Sequence, residues 1–141
     1  MLFRSPQYTE IFCRNYGELE LALDSLQAYG KEQLSDLSCK ELVTFHDGFG
    51  HFAAAFNLTI AAAMEEESGS EASAKELIQL ITLIQERNIP AVFTEVNGSV
   101  SAAGIIANEI GVQVHTLDMG MSNNYFETMY RNIDTVKEAL G

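Results

Sequence analysis

The feature that most constrains the fold is an alternation of two hydrophobic periods after residue 40. Short apolar runs at residues 41–45, 58–63, 90–94 and 112–117 read as strands, and each is separated from the next by a segment with helical spacing. Strands that alternate with helices are joined by crossovers. The expected fold is therefore α/β, a four-stranded parallel sheet with helices on both faces. Ahead of it, Pro6 suits a first helical position, and Phe12, Tyr16, Leu19, Leu23 and Leu26 recur at spacings of four and three. These predict a long N-terminal linking helix over residues 6–29, loosened at Gly30 and followed by a short polar helix or turn through Leu37. The chain thus divides into helix and connector (1–40) and an α/β lobe (41–141).

Within the lobe, residues 47–56 predict a helix and residues 65–71 an acidic surface loop. Ser73 and Glu76 have the spacing of a capping box, opening a helix to Asn88 with Leu77, Ile78, Leu80, Ile81 and Ile84 on its buried face. Residues 99–109 predict a helix with Ala103, Ile106 and Ile110 turned inward. The closing helix carries Phe126, Met129, Ile133, Val136 and Leu140.

Composition narrows the function. A chain of 141 residues suits one globular domain. Twenty acidic against eight basic residues give a net charge of −12, which repels phosphate backbones and attracts cations, so nucleic-acid binding is disfavoured. No apolar run is long enough for a membrane span. Cys13 and Cys39 lack a CxxC pairing, which argues against a thiolate zinc knuckle and leaves a single disulfide open. The first residues lack the basic and apolar regions of an export signal.

In an open parallel sheet, ligands bind beyond the carboxyl ends of the strands. His46 ends the first strand, Glu95 the third and Asp118 the fourth. With strand order 2-1-3-4 all three share one edge, and an imidazole with carboxylates is a donor set for zinc or manganese rather than calcium. Each residue also has a plain structural role open to it: a capping histidine, a polar strand terminus and a turn aspartate. His51, five residues after His46, does not align with it on one helix face. His115 is expected as a hydrogen-bonded core histidine. Neither a Gly-x-Ser-x-Gly elbow nor a phosphate-binding glycine loop is present.

Residues 44–52, Thr-Phe-His-Asp-Gly-Phe-Gly-His-Phe, resemble the FHDAFGYF segment of the zinc and manganese solute-binding proteins that serve ABC importers. Glu71-Ala72-Ser73-Ala74-Lys75-Glu76-Leu77 is similar to the same family's acidic EPS-A-K-E-L stretch, and residues 91–95 to its AVFVE strand. Residues 114–118 resemble its last strand ending in Leu-Asp, and residues 125–140 its closing helix. The resemblance runs from about Pro6 to the C-terminus. It implies a two-lobed extracytoplasmic protein, in the periplasm or anchored as a lipoprotein, whose lobes are joined by a long helix. One metal ion lies between the lobes, held by two residues from each.

On this resemblance the chain is the linking helix and C-terminal lobe, without the N-terminal lobe. His46 and Asp118 match the two metal ligands of that lobe. The histidine, where manganese-selective relatives tend to have glutamate, points to zinc with manganese as the alternative. Its place at a strand end, apart from the resemblance, makes Glu95 the candidate to orient the His46 ring or to serve as a salt-bridge partner. The implied partners are the metal ion and a membrane ABC permease. The chain departs from the family at His51, in place of tyrosine, and at Val96-Asn97, in place of Pro-Gln. Met119-Gly120 replaces a Pro-Leu turn, and losing that proline frees the turn after Asp118.

Two other functions compete. His46, Glu95 and Asp118 could serve a small metal-dependent or acid–base enzyme, with His46 as base. A metal-free interaction module would instead use the apolar stripe of the long helix, which drives self-association when uncovered.

Overall fold

The computed structural model describes residues 5–64, 73–96, 98, 100–120 and 124–141. The acidic loop expected at 65–71 lies outside them. A single 3-10 turn, Pro6–Tyr8, runs into α1 (Thr9–Gln33), followed by β1 (Glu41–Thr44), α2 (Gly50–Ala55), β2 (Thr59–Ala63) and α3 (Ala74–Arg87). Then come β3 (Ala91–Glu95), α4 (Ser101–Ile110), β4 (Gln113–Leu117) and α5 (Tyr125–Leu140). All strand pairs are parallel, as the strand–helix alternation implies, and the order is β2-β1-β3-β4.

The central strands are apolar on both faces because both faces are covered. Leu42, Ala91 and Phe93 face a core closed by α1, α2 and α5, where Leu26, Ala53, Ile133, Val136 and Leu140 pack. Val43 and Val92 face a second core closed by Leu80 and Ile84 of α3 and Ala103 and Ile106 of α4. The outer strands are less covered, and Val114 on β4 is 39% exposed. His115 is consequently half-exposed, with its Nε2 3.0 Å from Gln113 Oε1 at the surface. This corrects the expectation of a core histidine, because β4 is an edge strand. Ile78, expected on the buried face of α3, points outward at 63% exposure.

Gly30 does not loosen α1. The helix continues through it to Gln33, and Gly30 is buried. A Cβ there would lie 2.1 Å from Phe56 Cε1, so the missing side chain is what lets α1 approach the aromatic residues after α2. Tyr29 fixes the same half of α1 onto α5: its ring meets Tyr130 edge-on at 5.0 Å and its hydroxyl donates to Asp134 Oδ1 at 2.6 Å. The N-terminal half differs. Tyr16 and Leu19, both on the predicted stripe, are exposed. No described helix is long and apolar enough to cross a membrane.

The start of α3 is set by the capping box read in the sequence. Glu76 N–H donates to Ser73 Oγ at 3.3 Å, and the Ser73 N–H and hydroxyl donate to Glu76 Oε2 at 2.9 and 2.6 Å. Asn88 closes the helix in the left-handed conformation (φ 53°). The Ser73 hydrogen bonds hold the Glu76 carboxyl below its ordinary range. A native pKa lowered in this way adds stability above the unfolded-state value and loses it as pH falls through the native one. Ser73→Ala is expected to lower the unfolding midpoint at neutral pH. Its gap from the wild type should shrink in acid, which thermal melts across a pH series would read.

The two glycines of α1 carry opposite expectations. Gly17 has open space where a Cβ would stand, so Gly17→Ala should stabilise by about 0.5–1 kcal/mol through helix propensity. Gly30→Ala should destabilise by about 1–2 kcal/mol, because overpacking against Phe56 exceeds that gain. Urea unfolding of both variants decides the sign.

Candidate metal centre

Parallel register collects the three strand-end residues at one edge. Thr44 is level with Phe93, and Glu95 with Leu117. His46, two residues past Thr44, therefore comes level with Glu95, and Asp118 follows Leu117. Because β3 runs between β1 and β4, the backbones bearing His46 and Asp118 are two strand spacings, roughly 10 Å, apart. The following loops reach across this gap. A Cβ on Gly48, after β1, would lie 1.9 Å from the sulfur of Met119, after β4, and 3.2 Å from His46 Nδ1.

Asp118 is 7% exposed and held from two directions. Its backbone N–H donates to Asn132 Oδ1 at 3.1 Å, and the Asn132 amide donates to the Asp118 carbonyl at 2.6 Å. Asn132 is itself buried on the inward face of α5. The Gly120 N–H donates to Asp118 Oδ1 at 2.9 Å, and Gly120 adopts φ +82° to do so. The turn that lacks the family's proline is thus fixed by a carboxylate–backbone bond and a left-handed glycine.

His46 is half-buried. Its Nδ1 is enclosed by protein and has no hydrogen-bond partner. A buried ring nitrogen left in this way is costly unless a ligand completes it. Glu95, 8% exposed, is engaged in an interaction of its own, and the carboxylate does not supply the bond to Nδ1. Beside this edge lies a cleft of about 490 Å³, bounded by Leu23 and Gln27 of α1, Phe52 of α2, Asp118, Met119 and Met129. His51 is exposed on α2 and also lines the cleft. No group of three or more His, Cys, Asp or Glu side chains converges among the described residues. Cys13 and Cys39 are free thiols.

The residues that sequence reasoning missed are Asn132 and Gly48. Asn132 carried a signal, being an amide on the α5 face otherwise occupied by Thr128, Ile133, Val136 and Leu140. Gly48 carried none beyond being a turn glycine, since its importance depends on a loop 70 residues away in the chain.

A three-layer lobe of this topology, with an imidazole and a held carboxylate at the ends of two strands that flank β3, is the fold of a metal-type solute-binding protein. Residues 4–139 match the family model of ZnuA, described as zinc-uptake complex component A, periplasmic, and the chain belongs to that family. It is 30% identical to the zinc-binding protein TroA of Treponema pallidum, over 96% of this chain and 49% of that protein. It is 26% identical to the high-affinity zinc uptake system protein ZnuA of Bacillus subtilis, over 97% of this chain and 46% of that protein. A crystal structure of ZnuA superposes with a TM-score of 0.87 at 26% identity, covering 99% of this chain and 52% of that one. The chain spans about half the length of the curated relatives it matches.

The Asn132 clamp generates a direct expectation. Asn132→Ala removes the two bonds that the amide makes to the N–H and C=O of Asp118 and should destabilise the fold by about 2–4 kcal/mol, measured by denaturant unfolding.

Proposed function

We propose that this chain is the linking helix and C-terminal lobe of an extracytoplasmic zinc-binding protein that captures the ion and delivers it to a membrane ABC permease. His46 contributes a ring nitrogen and Asp118 a carboxylate oxygen, and an N-terminal lobe completes the coordination. The observation that carries this reading is the rigid presentation of Asp118 by Asn132 and Gly120, beside a histidine whose buried nitrogen has no protein partner. Membership of the zinc-uptake family supports zinc as the cargo. Imidazole favours zinc over manganese, although a relative in Bacillus subtilis is a manganese-binding lipoprotein. The periplasmic and lipoprotein relatives support a place outside the cytoplasm.

The protein acts as a carrier rather than an enzyme. An ion to be handed on is better held by ligands divided between two bodies than by a closed cage, because separating the bodies opens the site. Two ligands from this lobe alone bind zinc more weakly than four. Glu95, buried at the end of the strand between the two, is not assigned as a ligand.

Zinc calorimetry on this chain tests the assignment. His46→Ala and Asp118→Ala are each expected to weaken binding by about tenfold or more, since even outer partners of a ligand are worth 10–100-fold. Acidification should weaken the wild type, because only neutral imidazole is a ligand. Zinc affinity equal to the wild type in both variants contradicts the reading.

A further inference from the structure

The sheet ends in two edge strands, and they are not protected alike. β2 carries an irregularity against β1, where the register shifts between Leu42 and Val43. Such a break spoils an edge as a template for further pairing. β4 is paired with β3 in unbroken register from Gln113 to Leu117, and among the described residues no strand lies on its other side. Gln113 N–H donates to the Pro90 carbonyl at 3.3 Å, and the Leu117 carbonyl accepts from Val96 N–H at 3.0 Å. Backbone groups alternate in direction along a strand. Gln113, His115 and Leu117 therefore turn theirs to β3, and Val114 and Thr116 turn theirs outward. From Val112 to Leu117 there is no proline, glycine, lysine or carboxylate, the residues that natural edges use against pairing. Gln113, Val114 and Thr116 are exposed and His115 is half-exposed.

We propose that this edge pairs with the same edge of a second copy of the chain, antiparallel, about a two-fold axis at His115. Two observations select a second copy as the occupant. The geometry closes on itself: the Val114 N–H and carbonyl meet the carbonyl and N–H of the partner's Thr116, and symmetry repeats the exchange. Four hydrogen bonds form from groups already aimed outward. Each Val114 then faces a β-branched threonine on the same side of the sheet, a favourable cross-strand pair. The second observation is charge. Two chains of net charge −12 repel each other over most of their surfaces, and a strand without carboxylates is where that repulsion is least. The four-stranded sheet becomes one of eight. Because Asp118 follows β4, antiparallel pairing puts the two metal edges at opposite ends of the shared sheet. The inference does not depend on the metal-binding reading.

Sedimentation equilibrium of this chain reads the association. The expected result is a dimer of twice the 15.5 kDa chain mass. Val114→Lys and Val114→Pro should each weaken it about tenfold or more, since the first places a charge on the edge and the second deletes an outward N–H without touching β3. A cross-link gives a reading independent of those variants. In a Cys13→Ser/Cys39→Ala background, His115→Cys is expected to form an intermolecular disulfide under mild oxidation. Facing residues of a non-hydrogen-bonded pair have Cα atoms about 4.5 Å apart, within disulfide range. Gln113→Cys is expected not to cross-link, since its two copies lie four residues, about 13 Å, apart along the strands.

A monomer at all concentrations up to about 1 mM overturns the proposal. A cross-link as efficient at residue 113 as at residue 115 does so too. So does a dimer that Val114→Lys leaves intact and Leu19→Ser weakens, which places the contact on the exposed stripe of α1 instead.

Discussion

The two hydrogen bonds between Asn132 and the backbone of Asp118 are the constraint on which the site depends. They join the end of β4 to the middle of α5 at a buried point. An amide is the side chain suited to the task, because it donates and accepts at once and satisfies both backbone groups of one residue. With that residue anchored, Gly120 can turn sharply and give its N–H to the carboxylate. Met119 is thereby carried back over Gly48. Loss of the clamp would release the turn, the carboxylate and the sulfur together.

The rest of the lobe supplies the frame. Two buried strands, β1 and β3, set the level at which every loop begins, and helices on both faces hold them flat against shear. A binding protein gains from this arrangement. The proposed ligands, His46 and Asp118, sit directly after strand ends, so their geometry would be inherited from the sheet rather than from the loops themselves. Among the described residues the long α1 is tied to the lobe along its C-terminal half, by Gly30 against Phe56 and by Tyr29 against Tyr130 and Asp134. Its other half carries an apolar stripe exposed to solvent.

Much of this was legible in the sequence, for reasons that can be named. The apolar runs of β1 and β3 and the Ser73–Glu76 cap are local signals, and they placed the strands and the start of α3. His46, Glu95 and Asp118 were found because parallel topology directs attention to strand ends. What was not legible depends on contacts between distant segments. Gly30 looks like a helix breaker until Phe56 is placed against it. His115 looks like a core residue until β4 is seen at an edge. Gly48 and Met119 are unremarkable apart, and only the crossing of two loops gives them meaning.

The central claim is that His46 and Asp118 hold the metal at this edge. Anomalous diffraction at the zinc absorption edge, from crystals of the zinc-loaded protein, tests it most directly. The account predicts a peak about 2.0–2.2 Å from a His46 ring nitrogen and from an Asp118 carboxylate oxygen. A fully occupied peak elsewhere, at His115 or Cys13 for example, with both of these side chains unligated, would contradict it.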